Sequence, residues 1–133
     1  MTRKDLSQVY YLTKELKMWE RKLAELKEKS RLTSPELSDI PKSKTNNISD
    51  TTFEYVSLIM ELQADIDAFK YSIEAKVKEI EDYIMTLDDS LLRQIIEYRC
   101  CQLKSWRDVA ALIGSCTTED SIKKYFNRKY PAE

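Results

Sequence analysis

An apolar stripe with helical spacing runs through the middle of the chain. Its members follow one another three or four residues apart, which places them on one face of an α-helix. These members are Val56, Ile59, Gln63, Ile66, Lys70, Ile73, Val77, Ile80, Ile84 and Leu87. A helix over 51–87 would be roughly 55 Å long at about 1.5 Å per residue, which is too long for one helix of a compact globule of 133 residues. This helix therefore needs another helix alongside it.

The N-terminal part of the chain carries a second stripe, at the a and d positions of a heptad. Its members are Val9, Leu12, Leu16, Trp19, Leu23 and Leu26. They predict a first helix over 4–29. The run 31–50 holds two prolines and many Ser, Thr and Asn residues, which predicts a loop. The second helix is expected to begin near Thr51, with Ser49 or Asp50 as its N-cap.

Two partners for the long second helix remain open at this point. The first helix could fold back antiparallel as a hairpin, or a second chain could lie alongside in a homodimer. Gln63 and Lys70 interrupt the stripe, and such polar residues either fix register at some cost in stability or lie at the edge of the helix contact. The first helix covers about two-thirds of the second, so apolar surface should remain for a further partner.

Past residue 87 the predicted elements become short. Asp88, Asp89 or Ser90 could cap a helix whose apolar residues lie between 91 and 98. Ser105 is expected to cap the next helix. Gly114 is expected to end it, because a left-handed residue often follows the last turn of a helix.

A last helix is predicted from Glu119 to about Tyr130, capped by Thr117 or Thr118. Three short helices, with a small residue (Ala110) inside the second, are typical of a helix-turn-helix. We therefore predict an all-α fold in which a long antiparallel helical hairpin, a coiled-coil arm over 1–87 with loop 31–50, is followed by a helix-turn-helix domain over 88–133.

Composition excludes several classes of function. The chain has one glycine and no histidine, so a Rossmann or P-loop nucleotide site is excluded and the commonest general base is absent. An enzyme is the least favoured class, and we expect neither a cofactor nor a metal site. Cys100, Cys101 and Cys116 have no zinc-ligand spacing and are expected to be reduced. No apolar run is long enough to span a membrane, so we expect a cytoplasmic protein.

Charge is segregated along the chain although its total is −1. Residues 49–90 carry 3 Lys and Arg against 11 Asp and Glu, whereas residues 91–133 carry 8 against 5. Between Ser121 and Tyr130 there are four basic residues and no acidic one. That pattern is typical of a helix that faces DNA phosphates and base edges.

The last helix therefore supplies most of the candidate DNA-binding residues. Asn127 could bond adenine bidentately, and Lys123 or Lys124 could reach guanine or phosphate. Helix starts add hydroxyls and free backbone N–H groups that bind phosphate oxygens. The full predicted set is Ser105, Arg107, Thr117, Thr118, Ser121, Lys123, Lys124, Asn127, Arg128 and Lys129.

The same basic residues also have a purely structural interpretation, as an alternative to DNA binding. Lys and Arg near a helix C-terminus are stabilised by the helix dipole without binding anything. Glu119 and Asp120 also stand at the start of the helix, where carboxylates repel phosphate unless they face cytosine N4. Ile122 comes twelve residues after Ala110, rather than the ten of the tightest helix-turn-helix.

The C-terminal stretch 91–130 resembles a known family. Its motifs are Tyr98-Arg99, Ser105-Trp106 followed by Val109-Ala110, and Thr118-Glu119-Asp120-Ser121-Ile122. They resemble the C-terminal domain of small transcriptional regulators of phages and prophages of Gram-positive bacteria, the RinA/ArpU type, which look like sigma-factor region 4. The resemblance covers about 40 of 133 residues, and it implies control of late or prophage gene expression.

Three functions follow from these patterns. The first is a sequence-specific transcriptional regulator that binds double-stranded DNA through its last helix, as a homodimer if the arm pairs two chains. The second is an adaptor whose acidic arm docks RNA polymerase or another protein. The third is a recognition subunit for phage DNA packaging. No membrane partner is expected.

Overall fold

Every regular element in the described residues, 1–33 and 45–132 of this computed structural model, is a helix. The helices are α1 (Arg3–Leu6), α2 (Gln8–Thr33), α3 (Thr45–Ile84), α4 (Ser90–Ile96), α5 (Trp106–Ile113) and α6 (Glu119–Lys129). A π-helical turn, Glu97–Cys101, continues α4. The prediction of an all-α fold is confirmed.

The long helices α2 and α3 pack antiparallel, so the predicted hairpin forms within one chain. Residues 14–71 form one compact unit, and Leu23 and Ile66 are the buried apolar side chains among its described residues. The polar members of the stripe lie at its edge. Gln63 donates from Nε2 to Asp67 Oδ1 at 3.1 Å, and Lys70 Nζ lies 3.9 Å from Glu20 Oε2 on the other helix.

The predicted loop over 31–50 was wrong at both ends. Residues 31–33 still belong to α2, and residues 45–50 already belong to α3, so Ser49 and Asp50 lie inside a helix and do not cap it. The two prolines of the run are Pro35 and Pro41. Since neither proline nor glycine occurs between 42 and 113, no residue of the strongest helix-breaking types opposes an earlier start. The remaining part of the predicted loop, 34–44, lies outside the described residues.

The predicted first helix is also divided. Thr2 caps α1 in a capping box with Asp5, and the chain turns at Ser7 before α2 begins. The Ser7 hydroxyl donates to the carbonyl oxygen of Lys4 at 2.8 Å. A serine that bonds to the preceding backbone competes with regular helix hydrogen bonding, which accounts for a break at this residue.

A second compact unit joins residues 1–13 to the chain from 72 onward. Its core combines the N-terminal helices, the end of α3 and the C-terminal helices. The buried members include Leu6, Val9, Ile80, Ile84, Leu92, Ile95, Ile96, Val109, Ile122 and Phe126. This unit therefore includes residues on both sides of position 87, which is the domain boundary predicted from the sequence.

Each C-terminal helix begins with a side-chain cap that the sequence predicted. Asp89 Oδ1 accepts hydrogen bonds from the backbone N–H groups of residues 91 and 92 at 3.0 and 3.3 Å. Ser105 accepts from the backbone N–H of Asp108 at 3.2 Å. Thr118 accepts from that of Ser121 at 3.1 Å. Each cap satisfies donors that the first helical turn leaves unpaired.

Three consecutive residues in the turn between α5 and α6 have positive φ. Gly114 ends α5, as predicted, with φ +70° and ψ −153°, a region that only glycine enters readily. Ser115 and Cys116 follow at φ +55° and +64°. Thr117 closes the turn by donating from its hydroxyl to the carbonyl oxygen of Gly114.

We predict that Gly114→Ala lowers the free energy of unfolding by about 1–3 kcal/mol through backbone strain. An added Cβ would meet no atom within 4 Å, so steric clash contributes nothing. Urea unfolding followed by circular dichroism measures the change. Ser115→Gly is the matched control, because it removes a strained side chain from the same turn and should leave stability unchanged or raise it. Equal losses in both variants would contradict this explanation.

Two carboxyl groups face each other where α3 meets the π-helical turn. Burial and the nearby Glu97 carboxylate raise the pKa of Glu81 above its ordinary value. Glu97 Oε2 is buried without a hydrogen-bond partner in the described residues, while Oε1 accepts from Gln102 Nε2 at 3.4 Å. A proton shared by the two carboxyl groups would satisfy the buried oxygen.

We predict that Glu81→Gln raises the melting temperature at pH 7. The stability contributed by protonated Glu81 is complete below its unfolded pKa of about 4.3 and is lost as pH rises through the raised folded pKa. Above the raised folded pKa the ionised group is therefore unfavourable, and its removal should also flatten the dependence of the melting temperature on pH. Glu74→Gln makes the same charge change at an exposed site on α3. An equal rise in that variant would assign the effect to net charge.

Candidate nucleic-acid interface

Core contacts fix the orientation of α6 about its own axis. Ile122 and Phe126 are buried on its inner face, and the Phe126 ring lies 5.4 Å from the Trp106 ring of α5. Ala110 of α5 is buried in the same cluster. Because these anchors point inward, the opposite face of α6 has to point outward.

The outward face of α6 carries exposed cations. Lys123, Lys124 and Arg128 are exposed, and Ser121 and Asn127 lie beside them. Four of these residues, Ser121, Lys124, Asn127 and Arg128, line an open depression of about 640 Å³. The structure therefore brings together most of the α6 residues that the sequence predicted as DNA contacts.

Lys129 lies on the flank of α6, away from that depression. Its Nζ is 5.7 Å from the centre of the Tyr125 ring, and Arg128 Cζ is also 5.7 Å from it. The Tyr125 hydroxyl donates to the Asp89 carboxylate, and this bond holds the pKa of Asp89 below its usual value, with a smaller contribution from the charge of Lys129. The Tyr125–Asp89 bond also ties α6 to the start of α4.

The four predicted hydroxyl contacts all serve the local fold. Thr117 and Ser121 donate their hydroxyl protons to backbone carbonyl oxygens. Ser105 and Thr118 accept from backbone N–H groups as N-caps. A hydroxyl that accepts in this way keeps its own proton, so Ser105 and Thr118 could still donate to a phosphate. Arg107 is exposed in the first turn of α5, close in sequence to Ser105.

Asn127 is half-buried, and its orientation bears on base recognition. Its Oδ1 is buried without a hydrogen-bond partner in the described part of the chain. Bidentate pairing with adenine needs the amide oxygen and the amide nitrogen together at the base edge. The side chain would have to rotate before it could make that contact.

The start of α6 is acidic. Glu119 and Asp120 are exposed in its first turn, where the positive end of the helix dipole stabilises them. They would repel phosphates that approach that end of the helix. The basic residues follow from Lys123 onward, so a phosphate backbone is favoured along the later turns of α6.

Sequence reasoning missed two arginines that lie against aromatic rings. Arg99 Cζ is 4.8 Å from the centre of the Trp106 ring, and its Nη1 donates to the carbonyl oxygen of Lys104 at 3.0 Å. Arg3 Cζ is 5.9 Å from the centre of the Phe126 ring. No local signal could have found the Arg3 contact, since 123 positions separate the two residues in sequence.

The cysteines of the described chain are free thiols. Burial raises the pKa of the Cys100 and Cys101 thiols to about 12, so both stay protonated at neutral pH and are poor nucleophiles. Cys116 is exposed in the turn before α6. Among the described residues, no group of three or more potential His, Cys, Asp or Glu ligands could hold a metal ion.

None of the described helices is both long and apolar enough to cross a membrane. Comparisons with protein-family models, with curated proteins and with solved structures found no significant match to this chain.

Proposed function

We propose that this chain is a sequence-specific DNA-binding transcriptional regulator of phage or prophage genes, with α6 lying in the major groove. One observation carries the proposal. The outward face of α6 presents Lys123, Lys124 and Arg128 to solvent, and no acidic residue lies between Ser121 and Tyr130. A cationic helix face with this composition is what a DNA backbone attracts.

Contacts among the C-terminal helices hold α6 in a fixed position, which supports its proposed role in base recognition. Phe126 and Ile122 anchor α6 in the core, and the Tyr125–Asp89 bond holds its flank. Residues that read a base edge need a fixed position relative to the groove. In this proposal, Lys124 and Arg128 contact phosphate or guanine, and a rotated Asn127 contacts adenine.

The phage context comes from the resemblance of residues 91–130 to regulators of the RinA/ArpU type. Under this proposal the protein acts in the cytoplasm and needs no cofactor. Ser105 and Thr118 would donate their hydroxyl protons to phosphates on either side of the groove, with Arg107 beside Ser105.

Exposed apolar residues on α3 support a homodimer through the arm. Phe53, Val56 and Met60 are three and four residues apart, so they share one helix face, and all three side chains are exposed. Val56 belongs to the predicted stripe, yet the hairpin leaves it uncovered. Pairing of this face with a second copy would place two α6 helices on a two-part DNA site.

We predict that the protein binds a random-sequence DNA duplex with an affinity that falls steeply as salt rises. Lys124→Ala and Arg128→Ala should each weaken binding and reduce the magnitude of the salt slope by about 1. Fluorescence anisotropy over a salt series measures both quantities. Lys27→Ala, an exposed lysine of α2, is the matched control and should leave the slope unchanged.

Asn127→Ala should relax base preference without changing the salt slope. A good bidentate base contact discriminates by about 1–3 kcal/mol, and selection of duplexes from a random pool, followed by titration of the selected sites, measures that loss. Absence of salt-dependent binding to any duplex would overturn the proposal. It would favour the adaptor whose acidic arm docks RNA polymerase.

We predict that the protein is a dimer at micromolar concentration and that Phe53→Glu combined with Met60→Glu makes it monomeric. Two carboxylates on the exposed face of α3 would oppose burial against a second copy. Light scattering measures the mass. Arg21→Gln combined with Lys27→Gln, at exposed sites on α2, lowers the arm charge by the same two units and controls for changed charge. A monomeric wild-type protein would exclude the dimer and leave the DNA proposal to its own test.

A further inference from the structure

A cavity of about 570 Å³ lies between the N-terminal helices and the C-terminal core. All of its lining residues belong to the compact unit formed by residues 1–13 and the chain from 72 onward. Its volume falls within the range of about 300–1,000 Å³ that small-molecule sites occupy. None of the residues predicted to contact DNA lines it.

The charged side chains among the described residues that line the cavity are all cations. Arg3, Lys4 and Arg99 contribute to its walls, and no Asp or Glu side chain is among the described residues that line it. The charges of Arg99 and Arg3 also act on the buried Cys100 thiol. Burial raises the pKa of this thiol, and each arginine partly opposes that rise. The cavity therefore favours an anion.

The two guanidinium groups are held in place before any ligand arrives. Arg99 lies over the Trp106 ring and donates one N–H to the Lys104 carbonyl oxygen. Arg3 lies near the Phe126 ring and donates one N–H to the Tyr130 carbonyl oxygen at 3.4 Å. Each guanidinium carries five N–H donors in a fixed plane, so donors remain for a carboxylate, phosphate or sulfonate group.

Aromatic side chains supply a further part of the walls. Phe126 is buried and Trp106 is half-buried, whereas Tyr10 and Tyr11 are 42% and 61% exposed. Flat rings beside fixed cations suit a ligand with both a planar apolar body and a negative charge. The protonated Cys100 thiol adds a weakly polar wall and no nucleophile, so the cavity is suited to binding rather than to covalent chemistry.

We infer that this cavity binds a small organic anion with an aromatic or apolar body, through Arg3, Arg99 and Lys4. The charged group lies at the guanidinium groups, and the body lies against Trp106 and the tyrosines. This site is separate from the outward face of α6 and does not depend on whether that face binds DNA.

A matched pair of fluorescent probes tests the inference on the full chain. 8-Anilinonaphthalene-1-sulfonate carries the anion, and N-phenyl-1-naphthylamine has the same ring system without it. We expect the sulfonate to bind with a stoichiometry of one per chain and the neutral probe to bind at least tenfold more weakly, which is the size of one charge-assisted hydrogen-bond loss.

Variants of the cavity cations should reproduce that difference. Arg99→Gln and Lys4→Gln should each weaken sulfonate binding, by about tenfold and severalfold respectively. Lys4 is exposed at the rim, so its variant keeps the test valid if Arg99→Gln does not fold. Lys27→Gln removes an exposed cation outside both proposed sites and should leave sulfonate binding unchanged. Lys124→Gln tests whether the probe binds the proposed DNA surface instead.

Three outcomes would overturn the inference. The first is equal affinity for the two probes, and the second is sulfonate binding that neither cavity variant weakens. The third is loss of sulfonate binding in Lys124→Gln together with displacement of the probe by duplex DNA, which would make the probe a ligand of the DNA surface. Loss of DNA binding with intact probe binding would overturn only the proposed function.

Discussion

The burial of Ile122 and Phe126 in the core around α5 fixes which face of α6 is exposed. Truncating a buried phenylalanine costs about 3–5 kcal/mol, a large fraction of the stability of a small domain. The Phe126 ring contacts Trp106 and Tyr130, and Arg3 lies beside it. Since these contacts fix the inner face of α6, they also decide which lysines and arginines solvent can reach.

The local parts of this fold could be predicted from the sequence. Heptad spacing placed Leu23 and Ile66 in the hairpin interface, where both are buried. The caps Asp89, Ser105 and Thr118 and the helix end at Gly114 follow from side-chain chemistry within a few residues. Signals of this kind depend only on neighbours along the chain, so they can be recognised without any knowledge of the tertiary structure.

Contacts between distant segments could not be predicted in the same way. Nothing near Leu6 or Val9 indicates that they share a core with Ile122, because their apolar spacing suits a coiled-coil arm equally well. The helical start at Thr45 is hidden for a different reason: the Ser, Thr and Asn residues around it are typical of loops, although no proline or glycine follows Pro41 until Gly114. Helical periodicity does predict that Lys123, Lys124 and Arg128 share the exposed face of α6, whereas it gives no sign that Lys129 lies near the Tyr125 ring.

The core shared by residues 1–13 and the C-terminal helices constrains the order in which these segments can fold during synthesis. Leu6 and Val9 are buried with residues that lie more than 110 positions later, so the N-terminal segment leaves the ribosome long before its partners exist. A contact of such high sequence separation closes late and slowly. The hairpin needs only residues up to about 71 and can form first, whereas α6 acquires its fixed orientation only after its own residues, 119–129, have been made.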